Sequence, residues 1–433
     1  MDDTSVSEPY DCIIIGSGIA GLYTAVELLR AVPKIRVAVC EKHKEVGGRV
    51  YTFHQEIDGV KMQWEGGAGR ISEHHTIILD LLRRYKLTFS PIGGTIQYKD
   101  TYTSALEPDA FEPGLPVFID PLFSLPADVL SSNTIRHLLT KIHGPKRTED
   151  YLIRFPYRAE VDVMRADMAL ELFSREFRGT EKYGICVEGL SAMIEALRAD
   201  AEKRGAKFFL NRELVSVSQK GLVELKFKDA TMRAKHCVLA LPSEALRHVT
   251  PFGKWPHLKR VTMTPLLRFY GSFPAGPDGK IWYEKYGGRI VTSTPVRYII
   301  PGNAAIGSAH MSYTDTQDAR YWIDKLKSEG EKKVAEQMLL ELRKLLSPEI
   351  PPPTFVKAHA WDDGVTYWLP GKYDPAAISK AAFTPFPTMP AVHVCGESFS
   401  MRQGWMEGAV EHAASLIPKL VKKVRKTVGM RVT

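Results

Sequence analysis

Residues 11–21 read Asp-Cys-Ile-Ile-Ile-Gly-Ser-Gly-Ile-Ala-Gly, an apolar strand-like run that closes on three glycines in the spacing GxGxxG. Leu22, Ala25, Val26 and Leu29 then recur at the helical period, so the glycines open a helix. A second apolar run, Val-Ala-Val-Cys at 37–40, ends in Glu41. Strand, glycine turn, helix, strand and terminal acid commit this part of the chain to a βαβ unit of the α/β class, in the form that grips a dinucleotide. Gly16 makes the tight turn, Gly18 lets the backbone close on a pyrophosphate, and Gly21 lets the helix pack near the strand. The first amides of the helix face the phosphates, and Glu41 stands where a carboxylate accepts both ribose hydroxyls. The plain alternative is a tight βα turn that holds no ligand.

A short loop later comes Gly47-Gly48-Arg49-Val50, whose two glycines suit a second backbone approach to the same pyrophosphate. The order of acid, short loop and Gly-Gly-Arg resembles the flavin-dependent amine oxidoreductases, the superfamily of monoamine oxidases, polyamine oxidases and L-amino-acid oxidases. Nicotinamide dehydrogenases carry no such element, so the resemblance implies FAD. It spans essentially the whole chain, strongest at the termini and weakest over residues 90–160, to which no role attaches. The implied fold is α/β, with a discontinuous GxGxxG (Rossmann-like) FAD-binding domain, a mixed α+β substrate domain and a helical insertion. Residues 8–71, 188–255 and 385–433 are expected to form the FAD-binding domain, the last with a basic C-terminal helix. Residues 72–187 are expected to be a mainly helical insertion, with helices at 76–86 and 164–178 and a Pro-rich connection at 107–126. Residues 256–384 read as a mostly β substrate domain with one helix over 315–346.

Composition narrows the setting. A chain of 433 residues with 44% hydrophobic content can bury a large core and form two or three domains. No run of about 18 apolar residues occurs, so no transmembrane helix is expected, and the polar, acidic N-terminus is unlike a signal peptide. The expectation is a soluble intracellular protein, or a processed or trimmed chain. Cys12, Cys40, Cys186, Cys237 and Cys395 are scattered and read as buried free thiols, with no spacing that suggests a disulfide framework or a metal site. The net charge of +8 is concentrated at Lys419, Lys422, Lys423, Arg425, Lys426 and Arg431. Cations at a solvated helix end complement the helix dipole. An anionic membrane or nucleic acid is the alternative partner. No nucleic acid is expected to bind, and a homodimer is compatible with the family.

The remaining site residues follow from the resemblance. Gly66-Gly67-Ala68-Gly69-Arg70 is similar to the L-amino-acid oxidase segment that lies against flavin and carries the arginine clamping the substrate carboxylate. The implied contacts are Ala68, Gly69 and Arg70 on the cofactor and Arg70 on the substrate, where a guanidinium offers a bidentate fork to a planar anion. The alternative has Arg70 touching only flavin or a structural acid. Ser312-Tyr313 resembles the segment whose tyrosine hydroxyl donates to the same carboxylate, a strand-filling Tyr being the alternative. Trp405 takes the place of the aromatic wall beside flavin, and the Gly404 carbonyl would accept from the substrate amine. Trp361 and the Gly371-Lys372-Tyr373 turn resemble the other C-terminal segment, which makes Tyr373 the second aromatic wall. Some monoamine oxidases carry a flavin-linked cysteine there; Lys372 implies noncovalent FAD. The superfamily usually places a lysine, holding water near flavin N5, where this chain has Arg268. An arginine keeps the charge but cannot become a neutral base, so reoxidation by oxygen is expected to differ. On the cofactor side, the family implies adenine pairing at the Val215 backbone, a ribityl contact at Glu397, and the Met406 amide at a helix N-terminus facing the flavin pyrimidine edge. Val410, Ala413, Ala414, Ile417, Leu420 and Val421 mark the buried face of that helix.

The implied activity is that of an FAD-dependent oxidase. Hydride passes from the C–N bond of an L-amino acid to flavin, water hydrolyses the imine to a 2-oxo acid and ammonia, and oxygen is converted to peroxide. A monoamine or polyamine oxidase is the alternative within the enzyme class, and a non-catalytic FAD-binding scaffold is the alternative outside it.

Overall fold

In the computed structural model, which describes residues 8–57, 59–93, 95–98, 117–176 and 182–430, the strand Tyr10–Ile15 lies inside a seven-stranded sheet. Val37–Cys40 and Thr231–Leu239 flank it in parallel, with Ile13 opposite both Ala38 and Cys237. Lys207–Phe209 extends one side in parallel, while Leu222–Phe227 and Leu214–Lys220 extend the other as an antiparallel ribbon. Val392–Val394 pairs in parallel with Thr231–Leu239. The sheet is therefore assembled from three separated stretches of chain.

Its central strands are apolar on both faces because both faces are covered. Cys12, Ile14, Val37 and Val39 pack under the helices Ile19–Ala31, Leu190–Lys203 and Met406–Thr427. Ile13, Ile15, Ala38 and Cys40 belong to the core on the opposite side, with Trp255, Trp368 and Phe399. The helix Met406–Thr427 buries Val410, Ala413, Leu416, Leu420 and Val424, so its inner face is centred on Leu416 rather than on Ala414 and Ile417. All five cysteines are free and buried. No helix among the described residues is long and apolar enough to cross a membrane.

A six-stranded sheet forms the second layer system, in the order Phe355–Trp368, Val261–Ser272, Ser308–Asp315, Tyr298–Pro301, Gly288–Val291 and Thr95–Tyr98. The last strand comes from the stretch to which sequence attached no role; it pairs in parallel with Gly288–Val291. Over 315–346 the chain makes two helices, Thr316–Glu329 and Glu331–Leu345, instead of one. Gly330 separates them with φ +83° and ψ 165°, a backbone state that favours glycine and leaves the helix, and its N–H donates to Leu326 O. Trp322, Ile323, Val334 and Met338 pack these helices onto Leu267, Phe269 and Met311 of the sheet.

The stretch 72–187 contains the helices Thr76–Arg84, Ala127–Ser131, Ile135–His143, Pro145–Leu152, Ala159–Asp162 and Ala166–Glu176. It also supplies Phe89–Ile92 and Tyr183–Cys186, which join Ile71–Ser72 in a three-stranded sheet. Residues 177–178 of the expected second helix, 107–116 of the Pro-rich connection, the N-terminal seven residues and Arg431 lie outside the described residues.

Candidate active site

The glycine turn is built by close approach. Gly16 has φ +94°, donates to Cys40 O at 2.8 Å, and would place a Cβ 2.6 Å from Ala240 O. A Cβ on Gly21 would lie 2.0 Å from Gly16 O, so helix and turn touch through backbone alone. Gly18 is different: a Cβ there would meet only Gly47 O, at 3.9 Å. Gly18 bridges to Gly47, and the next residue, Gly48, has φ +60° and faces Gly18 Cα at 3.4 Å from its notional Cβ. The two glycine loops thus meet edge to edge in front of the helix Ile19–Ala31. A cradle that a Cβ would fill, at a helix N-terminus, fits a pyrophosphate. Glu41 closes the neighbouring strand; its carboxylate is buried and accepts from Ser17 N at 2.9 Å, Ser17 Oγ at 3.0 Å and His43 N at 3.0 Å.

Glu397 is a junction. One oxygen accepts from Arg49 Nη2 at 3.0 Å and Thr366 Oγ1 at 2.7 Å; the other accepts from Thr366 N at 3.1 Å and Gly404 N at 3.0 Å. A carboxylate has about four acceptor positions, and here protein donors fill them. Any further hydroxyl at Glu397 would have to displace one of these donors. Glu397 itself ties together Arg49, the strand Phe355–Trp368 and the turn at Gly404, whose φ is +81°. Met406 follows as the first residue of its helix. Val215 sits at a β-bulge, with its carbonyl accepting from Thr250 N at 3.0 Å.

On the substrate side, Ala68 N donates to Arg49 O at 2.9 Å, and a Cβ on Gly67 would lie 2.0 Å from the same oxygen. Gly69 lies against Arg268, whose Nη1 would be 2.6 Å from a Cβ there. The chain from Gly66 to Gly69 is therefore pressed between the Arg49 loop and the six-stranded sheet, which brings Arg70 and Arg268 to the same region. The Arg70 guanidinium donates to the Tyr157 hydroxyl at 2.9 Å. Its carbon stands 5.7 Å from the Tyr157 ring centre, 5.1 Å from Tyr183 and 5.7 Å from Trp405. Trp405 stacks on Tyr183 and meets His75 edge-on. Arg268, opposite Tyr313 in the sheet register, lies 4.9 Å from the Tyr313 ring centre and donates to Glu65 O at 3.1 Å. Tyr313 in turn contacts Tyr157 and Tyr298.

The electrostatics favour an anion. Burial works against the Arg268 charge, but Tyr313 and Tyr270 outweigh it and hold the pKa above its usual value. Burial and the nearby Arg268 push His310 well below the ordinary histidine range, so this imidazole is neutral. Burial, with Arg402 beside it, pushes His75 down to about 3. The guanidinium charge thus stands beside aromatic rings and neutral imidazoles, with the Glu65 carboxyl, pushed up to about 7 by burial, facing Arg268.

Tyr373 does not belong to this group. Its ring packs between Arg165 and Arg260, and its hydroxyl donates to Leu369 O and Arg260 O. The strand Phe355–Trp368 stays paired with Val261–Ser272 as far as Trp368, so the turn at 371–373 falls beyond the end of the sheet. Gly364 and Val365 instead meet Arg49 and Gly404: Arg49 Nη1 donates to Gly364 O at 2.8 Å, and a Cβ on Gly404 would lie 3.5 Å from Val365 Cγ1. Trp361 is a support, donating to Gly66 O at 2.8 Å. Residues 364–366 contain no cysteine.

Tyr157, Tyr183, Tyr298 and His310 escaped the sequence reading because they belong to no motif. Glu407 escaped it too. Fully buried, it accepts from Ile77 N and Ile78 N at 2.9 Å each and so caps the helix Thr76–Arg84 from more than three hundred residues away.

The sequence profile of the family described as flavin containing amine oxidoreductase matches residues 19–415. YobN of Bacillus subtilis (strain 168), described as a putative L-amino-acid oxidase, is 24% identical over 93% of this chain and 93% of its own. The L-amino-acid oxidase of Naja atra is 35% identical over 81 residues, which cover 19% of this chain and 15% of the cobra protein. Among solved structures, cyclohexylamine oxidase from Brevibacterium oxydans IH-35A superposes with a TM-score of 0.74 at 19% identity, covering 96% of this chain and 100% of that one. At that identity the likeness concerns the fold.

Proposed function

The chain belongs to the flavin-containing amine oxidoreductases, and from that premise we propose that it is an oxidase with noncovalently bound FAD acting on an L-amino acid. The observation that carries the choice of substrate is Arg70, a guanidinium walled by Tyr157, Tyr183 and Trp405 and set beside the second cation, Arg268. A neutral-ringed enclosure around fixed positive charge suits a carboxylate better than it suits the ammonium end of an amine.

In this reading the seven-stranded sheet and its three contributing stretches, within 8–71, 188–255 and 385–433, hold FAD, and the six-stranded sheet, five of whose strands come from 256–384, holds the substrate. Gly16, Gly18, Gly21 and Gly48 cradle the pyrophosphate, Glu41 takes the ribose, Val215 lies toward adenine, and the Ala68–Gly69 backbone, Arg49, Glu397 and the Met406 amide surround the flavin end. Bound there, FAD supplies the oxidising capacity for the C–N bond, with dioxygen as the final acceptor. Arg70 and the Tyr313 hydroxyl bind the carboxylate, the Gly404 carbonyl accepts from the amine, and Trp405 walls the site from water.

Three measurements test this reading. Under anaerobic conditions L-amino acids are expected to bleach the flavin, while amines lacking the carboxylate act far more slowly. Equal bleaching by amines makes the protein an amine oxidase, and no bleaching by either pool makes it a scaffold. Acid precipitation is expected to leave the yellow colour in the supernatant; colour in the washed pellet contradicts noncovalent binding. Glu41→Ala is expected to weaken FAD retention by about 1.5–3 kcal/mol, the range for a hydrogen bond to a charged group. An unchanged FAD dissociation constant removes Glu41 from the ribose site.

A further inference from the structure

We propose that Asp315 and Arg297 are positioning residues that hold Tyr157 so that its hydroxyl fixes the Arg70 guanidinium for carboxylate binding. Tyr157 lies in an irregular segment between the helices Pro145–Leu152 and Ala159–Asp162. The backbone on both sides of it is gripped by buried charge from the substrate sheet. On the N-terminal side, Arg297 donates from Nη1 to Ile153 O at 2.7 Å and from Nη2 to Phe155 O, while also holding Thr292 O at 3.2 Å. On the C-terminal side, the Asp315 carboxylate accepts from Arg158 N at 3.0 Å and from Ala159 N at 3.0 Å.

Both side chains reach beyond their own element. Asp315 immediately precedes the helix Thr316–Glu329, yet its side chain makes no cap there and turns to the other segment. Arg297 is 2% exposed and adopts φ +56°, a left-handed conformation uncommon for a side chain of this size. Burial pushes Asp315 up to about 6, opposed by the Ala159 and Arg158 amides and by Arg297. Asp318 faces Arg297 Nε at 3.5 Å, and Arg158 pairs with Asp162 at 3.2 Å, so each arginine of the cluster has a carboxylate neighbour. Buried ionic groups do little for net stability when apolar groups could replace them, but they define geometry sharply.

What that geometry defines is Tyr157. Its ring is fixed edge-on against Tyr298 and Tyr313, each at 5.9 Å, and its hydroxyl receives the Arg70 hydrogen bond. A tyrosine has two main rotatable bonds, so holding its backbone and its ring edges leaves the hydroxyl little freedom. The chain from Asp315 through Tyr157 to Arg70 then acts on how well the guanidinium is oriented, not on whether it is charged.

The inference rests on the amino-acid reading for its ligand and is tested on the holoenzyme with benzoate, a monocarboxylate whose binding is followed by perturbation of the flavin spectrum. Tyr157→Phe, Asp315→Asn and Arg297→Met are each expected to raise the benzoate dissociation constant and the amino-acid KM roughly tenfold, the order expected for loss of a hydrogen bond to a charged group. FAD content and kcat should change little. Tyr157→Phe combined with Asp315→Asn should be no worse than the weaker single variant, because both act through one contact. Multiplying effects in the double variant overturn the proposal, as does an unchanged benzoate constant in Tyr157→Phe, which keeps the ring packing and remains informative if Asp315→Asn fails to fold. A parent protein that prefers amino acids and binds benzoate, with Tyr157→Phe like the parent, sinks this inference alone. A parent that binds no benzoate and treats amines and amino acids alike sinks the amino-acid reading as well.

Discussion

Arg70→Ala should leave a yellow protein that oxidises L-amino acids at least a hundredfold less efficiently. Removing one partner of a buried ion pair costs about 3–5 kcal/mol, and each 1.4 kcal/mol is about a factor of ten. Arg70 is only half-buried, so the lower end of that range applies. The flavin should stay, because the glycine loops and Glu41 stand on different strands and loops from the Tyr157, Tyr183 and Trp405 enclosure. The diagnostic quantity is a ratio. In the parent, kcat/KM for an amino acid should far exceed that for the decarboxylated amine with the same side chain, since the amine brings no carboxylate to the guanidinium. In Arg70→Ala that ratio should collapse by losing the amino-acid term alone. Equal damage to both substrates means that Arg70 touches only the cofactor, and the amine oxidase alternative replaces the proposed one. Tyr313→Phe removes a neutral donor and should cost less, chiefly in KM.

Gly21→Ala and Gly18→Ala should separate folding from cofactor binding. A Cβ on Gly21 would sit 2.0 Å from Gly16 O, a backbone atom that cannot swing away, so the helix must move off the sheet. Overpacking of this kind costs about 1–3 kcal/mol even where side chains can yield. The expected product melts earlier and carries no flavin. Gly18 has φ −66°, which any residue adopts, and its notional Cβ meets only Gly47 O at 3.9 Å. Gly18→Ala should therefore melt like the cofactor-free parent while binding FAD weakly, because the methyl group occupies the face offered to the pyrophosphate. If Gly18→Ala retains full FAD affinity, the cradle has been placed on the wrong loop. If Gly21→Ala folds and binds normally, close helix–strand contact is not what the third glycine secures.

The parts that were legible from residues 11–41 were legible because they are local. A positive φ at Gly16, a helix that begins after Gly18 and an acid at a strand end are backbone states that a few neighbouring residues impose. The continuous apolar runs likewise announced strands buried on both faces. Gly330 was equally local, and its power to stop a helix explains why 315–346 is two helices. The convergence of side chains obeyed a different rule. Arg70 meets Tyr157, Tyr183 and Trp405 across gaps of 87 to more than three hundred residues, and no spacing in the chain encodes such a meeting. Tyr373 shows the opposite failure: a motif-like turn close to the right sequence position is carried past the site because strand pairing continues to Trp368. Glu397, read as a cofactor contact, is occupied by four protein donors that arrive from three segments. The glycine-turn backbone follows from short-range sterics and hydrophobic period, which neighbouring residues suffice to set. Which side chains gather around Arg70 depends instead on the register and packing of elements far apart in the chain.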